Sequence, residues 1–112
     1  MVRFSMVDKE MVKSEKQIQK EIVNYLKEEN YSVDVITKGM HGNNGISDII
    51  AVGHGKILYI EVKRPGKKAT ELQRLFLQEK NRMGAFAIVA TSVNDVKDIL
   101  RHSEKKLVTE YN

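Results

Sequence analysis

Two acidic residues and a lysine carry the chemistry this chain could perform: Asp48, and Glu61 with Lys63 in the triplet Glu61-Val62-Lys63. They lie on two short apolar runs, Ser47-Asp48-Ile49-Ile50-Ala51-Val52 and Ile57-Leu58-Tyr59-Ile60-Glu61-Val62-Lys63. Between the runs sits Gly53-His54-Gly55-Lys56, whose composition reads as a hairpin loop. Pairing Val52 with Ile57 sets Asp48 directly opposite Glu61. Side chains alternate faces, so Lys63 shares the face of Glu61, one pleat further along. Two carboxylates facing each other across a ladder repel and destabilise it unless something compensates. A divalent cation is the natural compensation. The hairpin therefore reads as a metal site with a lysine beside it. His41, His54 and His102 are scattered, and no pair of them has metal-ligand spacing.

The elements that must position these groups follow from periodicity and punctuation. Ser14-Glu15-Lys16-Gln17 is a capping-box pattern, and Ile18, Ile22, Val23 and Leu26 follow at helical spacing, predicting an amphipathic helix over 15–29. Tyr31 to Lys38 reads as a strand, and Gly39-Met40-His41-Gly42-Asn43-Asn44-Gly45 as a loop leading into the hairpin. Pro65-Gly66 stops the second hairpin strand. Thr70-Glu71-Leu72-Gln73 is a second capping box, opening a helix over roughly 70–83 with an apolar stripe of Leu72, Leu75, Phe76 and Met83 and Gly84 at its C′ position. Ala85 to Thr91 is nearly all apolar, as for a strand buried on both faces. Ser92 caps a last short helix carrying Val93, Val96, Ile99 and Leu100, and the polar segment from Arg101 is expected to fray or to pack on a partner. A hairpin, a crossover helix and a further strand imply an α/β fold with a mixed sheet flanked by helices, the strand at 85–91 lying parallel beside the hairpin.

At 112 residues the chain is expected to be one domain, with a core over about 14–97, a leader at 1–13 and a tail at 101–112. There is no cysteine, which excludes a disulfide framework and a cysteine-based zinc site and fits a reducing compartment. No apolar run approaches the roughly 18 residues of a membrane span, so no membrane partner and a cytoplasmic location are expected. The formal charge of +4, with 19 Lys+Arg against 15 Asp+Glu, favours a polyanionic partner without identifying one. Location is more informative: Lys63, Arg64, Lys67 and Lys68 cluster just after the proposed metal site.

Glu15 on the first helix, Gly45-Ile46-Ser47-Asp48, Glu61-Val62-Lys63 and Gln73 on the second helix together resemble the PD-(D/E)xK nuclease superfamily. More narrowly, the chain is similar to stand-alone phage-type VRR-nuc (virus-type replication-repair nuclease) domains, relatives of Holliday-junction resolvases. The resemblance spans about residues 14–97. Glu-x-Lys alone is a weak signal, but the full series in order on the expected elements is specific. One departure is Ser47, where the family usually has proline before the aspartate; that proline shapes the backbone and supplies no ligand.

The resemblance implies a restriction-endonuclease-like sheet in the order α-β-β-β-α-β-α and a divalent-metal-dependent endonuclease that hydrolyses phosphodiester bonds in branched or Holliday-junction-like DNA, with Mg²⁺ or Mn²⁺ as cofactor. Asp48 and Glu61 would be the primary ligands with the Val62 carbonyl, and Glu15 a ligand directly or through water. Lys63 would orient or deprotonate the attacking water or stabilise developing charge, and Gln73 would position the water or the scissile strand. Arg64, Lys67, Lys68 and Arg74 are read as contacts to backbone phosphates, and His41 as a further DNA contact. Cutting two strands symmetrically needs two sites, so a homodimer is expected, with Met40, Phe86 or the C-terminal segment as candidate interfaces. A helicase or replication partner and, for a phage protein, the host cytoplasm belong to the same expectation.

Blander readings stand beside these. Asp48 and Glu61 could be solvated on an open hairpin face, and Glu15 could simply complement the dipole of its helix. Glu21 is the other acid on that helix, on a different face. Lys63 could be a surface lysine, Gln73 only a capping residue, and the basic cluster a solvated charge run. From a different class, a non-catalytic DNA-binding module on the same fold would serve a replication or repair complex.

Overall fold

The structure, a computed structural model, describes residues 12–37 and 48–111. Helix α1 (Glu15–Glu28) starts where Ser14 accepts the Gln17 N–H at 3.1 Å, and it buries Ile18, Ile22 and Leu26 along one stripe. Its end is a Schellman motif: Asn30, at φ 66°, lets Asn30 N–H reach Lys27 O and Tyr31 N–H reach Leu26 O. Strands β1 (Ser32–Val35), β2 (Ile49–Gly53) and β3 (Lys56–Val62) run antiparallel in succession. Helix α2 (Glu71–Arg82) then crosses over to β4 (Phe86–Ala90), which pairs in parallel with β3, and α3 (Val93–Tyr111) completes the α-β-β-β-α-β-α order. The sheet order is β1-β2-β3-β4.

The hairpin register is the one the sequence predicts, with Val52 opposite Ile57 and Gly53 opposite Lys56. His54 and Gly55 both have left-handed φ, 53° and 75°, as a two-residue type I′ turn requires. Glycine meets this at no steric cost, whereas His54 is held there by its ring: Nε2 lies 2.7 Å from Glu29 O, and Tyr31 packs edge-on against it.

The pleat gives the two faces of the sheet different tasks. Ile49, Ala51, Leu58, Ile60, Val62 and Ala90 form the core with Ile18, Ile22 and Leu26 of α1 and Val96 and Leu100 of α3. The opposite face presents Tyr59, Glu61 and Ala87 to α2. Phe76 stacks edge-on against Tyr59, and the Asn81 amide both donates to Ala87 O and accepts from Ala87 N–H at 2.8 Å.

Three sequence expectations change here. The stripe on α2 is rotated: Gln73 and Leu77 are buried with Phe76 half-buried, while Leu72, Leu75 and Met83 are 59%, 49% and 73% exposed. The helix turns toward the face where Gln73 can reach a buried acid, which the apolar count alone could not reveal. Strand β4 is buried on both faces only in part: Ala90 faces the core and Ala87 faces α2, while Val89 is exposed. The last helix does not stop near Leu100. Its backbone stays helical to Tyr111, with Ser103 buried and donating to Leu100 O at 2.7 Å. Gly84, by contrast, ends α2 as expected, at φ 105° in a second Schellman motif. Among the described residues no helix is long and apolar enough to cross a membrane.

Candidate active site at the open end of the hairpin

The last rung of the β2–β3 ladder is Ile49 opposite Ile60, so the next position in the same register brings Asp48 to Glu61. Asp48 is fixed from both sides. Its backbone carbonyl accepts the Ile36 N–H at 2.8 Å, extending the β1–β2 ladder, and its Oδ2 accepts the Val62 N–H at 2.7 Å. In an extended strand the N–H and C=O of one residue point to the same side, so the Val62 carbonyl also faces the Asp48 side, beyond the last rung. Lys63, next along, turns the other way and donates its N–H to Ala90 O at 3.0 Å.

Glu61 is 1% exposed beneath α2. Its Oε2 accepts from Gln73 Nε2 at 2.9 Å, and the Lys63 ammonium lies 3.7 Å from the same oxygen. Gln73 is itself immobilised by the capping box: its Oε1 accepts the Thr70 N–H at 2.8 Å, and Thr70 Oγ1 accepts the Gln73 N–H at 3.2 Å. The amide therefore spans from the helix start to the buried carboxylate. Burying a carboxylate is tolerable only with such partners. The repulsion expected between the two acids is thus met partly by the protein's own donors: the Val62 N–H, the Gln73 amide and the Lys63 ammonium.

Not every predicted residue joins this cluster. Glu15 is exposed in the first turn of α1, and the described residues hold no group of three acidic or histidine side chains that could share an ion. Among the described residues, the oxygen donors that meet here are accordingly two carboxylates and one strand carbonyl, all hard donors. That suits Mg²⁺ or Mn²⁺, since Mg²⁺ keeps several waters and is usually bound through one or two carboxylates. Glu21 is engaged elsewhere, paired with Lys13 at 2.8 Å.

Beyond β3, Arg64-Pro65-Gly66-Lys67 forms a β-turn closed by Lys67 N–H to Arg64 O at 3.0 Å, with Gly66 at φ 90° as a type II turn needs. Arg64, Lys67 and Lys68 are all exposed around it, immediately past the acidic pair. Arg74 is exposed on α2 and lies 3.7 Å from Glu71, a pairing too solvated to hold it firmly. His41 and Met40 lie outside the described residues, as do Ser47 and the preceding loop. Thr70 is the site residue that sequence reading passed over. Its capping box was visible, but not that the box anchors the amide that grips Glu61.

No protein-family model and no curated protein matches the chain. Solved structures do. One named "VRR_NUC domain" superposes with a TM-score of 0.65 at 21% identity, over 79% of this chain and 95% of that one. Another, "VRR_NUC domain protein", gives 0.63 at 19% identity, over 80% and 87%. Three helices packed on a four-stranded mixed sheet thus constitute the fold of the VRR_NUC domains.

Proposed function

We propose that this chain is a Mg²⁺- or Mn²⁺-dependent endonuclease that hydrolyses phosphodiester bonds in branched, junction-type DNA. The observation that carries the reading is the meeting of Asp48 and Glu61 past the last hairpin rung, with the Lys63 ammonium against Glu61. The fold shared with VRR_NUC domains supports it. A divalent cation held there supplies Lewis-acid stabilisation of the charge that develops on the phosphate. Asp48 and Glu61 hold it through their carboxylates and Val62 through its carbonyl. Lys63, mostly buried yet reaching solvent, stands ready as the ammonium to orient the attacking water or stabilise developing charge, and as the neutral amine to take that water's proton. Gln73 keeps the Glu61 carboxylate aimed. Arg64, Lys67 and Lys68 neutralise backbone phosphates beside the site, which positions DNA without reading sequence. Glu15 remains a candidate ligand through water.

Symmetric cutting of both strands requires two such sites, and we assign a homodimer to the active form. The exposed Leu72, Leu75 and Met83 on α2 offer it an apolar surface. Phe86, a sequence candidate for the interface, packs instead against the core.

The test is cleavage of a labelled synthetic four-way junction and a matched linear duplex with Mg²⁺, Mn²⁺ or EDTA, comparing wild type with Glu61→Ala. Metal-dependent cutting of the junction that Glu61→Ala abolishes is the expected result. DNA that is retarded but uncut, whatever the metal, would leave a binding module on the same fold. Light scattering on a gel-filtered sample should give the mass of a dimer, and a clean monomer at micromolar concentration would remove that assignment.

A further inference from the structure

The opposite end of the sheet holds a polar cavity. Five steps along β3 lead from Lys56 to Glu61, roughly 17 Å at about 3.3 Å per residue. Between the His54-Gly55 turn, the end of α1 and one face of α3 lies a cavity of about 500 Å³, whose walls include Tyr25, Tyr31, His54, Lys56, Lys97 and Arg101. That volume is in the range of small-molecule sites.

Lys56 is the unusual member. It is only 9% exposed, yet among the described residues its ammonium has no hydrogen-bond or ion-pair partner. Nor is that nitrogen fully occluded, so it meets the cavity. A lysine that merely covers apolar surface sends its head out to bulk water; this one ends in a cavity that other cations also line. Lys97 lies 5.1 Å over the Tyr25 ring, and Arg101 follows one turn later on the same side of α3. The Arg101 guanidinium also lies 3.5 Å from Asp98 on the same helix, an exposed pairing too solvated to hold it firmly. Glu29 and Glu104 also line the cavity, but among the described residues neither is ion-paired to Lys56, Lys97 or Arg101. Burial first, and then the charges of Glu29 and Glu104, push both the Tyr25 and Tyr31 hydroxyls above the usual tyrosine range, which keeps them protonated and able to donate.

We infer that this cavity binds a phosphate group, with Lys56 as its buried counter-charge, Lys97 and Arg101 completing the cationic wall, and the two tyrosines as neutral donors. The cavity has room for an attached nucleoside. The phosphate comes either from a free nucleoside monophosphate or from the DNA backbone. The inference does not depend on the nuclease reading, since the cavity lies at the other end of the sheet.

The experiment uses the full chain without metal. Calorimetry measures dAMP against deoxyadenosine, which lacks the phosphate, and anisotropy measures a short labelled blunt duplex. Wild type is compared with Lys56→Met, which keeps the buried stem, and with Arg101→Gln, an exposed position that keeps the test alive should Lys56→Met fail to fold. We expect dAMP or the duplex to bind at least about tenfold more weakly to the variants. Loss of dAMP binding identifies a free phosphate ester as the ligand. Loss confined to the duplex identifies a backbone phosphate. Wild type binding neither, or deoxyadenosine binding as well as dAMP, or folded variants binding both ligands as wild type does, overturns the inference.

Discussion

Replacing Gln73 by alanine should cost this protein far more than a surface glutamine normally would. The side chain is buried, donates to a carboxylate that is 1% exposed, and accepts the N–H of the helix N-cap. A hydrogen bond to a charged group contributes about 1.5–3 kcal/mol. The cap-side half of the box adds roughly 1 kcal/mol. Gln73→Ala should therefore lower the unfolding free energy by about 2.5–4 kcal/mol. Thr70→Ala is the internal control, since it removes the hydroxyl that accepts the Gln73 N–H but leaves the Glu61 bond in place, and it should cost about 1 kcal/mol. Urea unfolding in EDTA, followed by circular dichroism, gives both numbers from the midpoints and the common slope. If Gln73→Ala costs no more than Thr70→Ala, the amide does not stabilise Glu61 and the reasoning fails. A second reading comes from adding Mg²⁺: a cation at Asp48 and Glu61 should stabilise the Gln73→Ala protein more than wild type, because it replaces a missing partner of the same carboxylate. Equal stabilisation of both would place the ion elsewhere.

Asp48→Asn keeps an oxygen for the Val62 N–H while removing one of two opposed charges, so without metal its thermal midpoint should equal or exceed wild type by up to about 1 kcal/mol of stability, and Mg²⁺ should no longer raise it; a metal-dependent rise as large as wild type's would argue against Asp48 as a ligand. The rotated face of α2 predicts that Leu77→Ala costs about 2–4 kcal/mol in urea unfolding, whereas Leu75→Ala, half exposed, stays within about 0.5 kcal/mol; the reverse order would restore the stripe read from the sequence. Tyr25 and Tyr31 titrate above their usual 10.0 in the folded protein because burial disfavours the phenolate, so their contribution is complete below pH 10 and declines as pH rises through the raised values; Tyr31→Phe should flatten the alkaline fall in thermal midpoint, and an unchanged slope would show that Tyr31 does not contribute.

The hairpin and the placement of its charged residues were legible because they rest on period two and a two-residue turn. Once Val52 is paired with Ile57, the positions of Asp48, Glu61 and Lys63 follow without any tertiary information. The parallel placement of β4 was legible for a similar reason, since a crossover helix leaves few alternatives. What could not be read was the rotation of α2. Leu72, Leu75 and Met83 outnumber Gln73 and Leu77 as apolar residues, and only the buried acid below explains why an amide faces inward. The same limit hid the link between Thr70 and the site. Glu15 was placed on its helix correctly, but sequence spacing says nothing of the distance between a helix N-terminus and a strand end. The length of α3 escaped because Arg101 and His102 read as a polar tail, although Ser103 continues the buried face begun by Val96 and Leu100.

The two-residue turn also bears on how the gene can change. Point substitutions at His54 or Gly55 alter only the stability of the reversal, since the ladder beyond it is unchanged. Deleting one codon between Gly53 and Lys56 is different in kind, because no hairpin closes on one residue, whereas an added residue makes an ordinary three-residue loop. With β2 held between β1 and the core, the shift falls on β3, and a one-residue slip sends Glu61 to the core face and Ile60 to the face under α2. Deletions here should be admitted only in pairs, so the reading frame of the sheet, like that of the message, has its own unit, and this one is two residues.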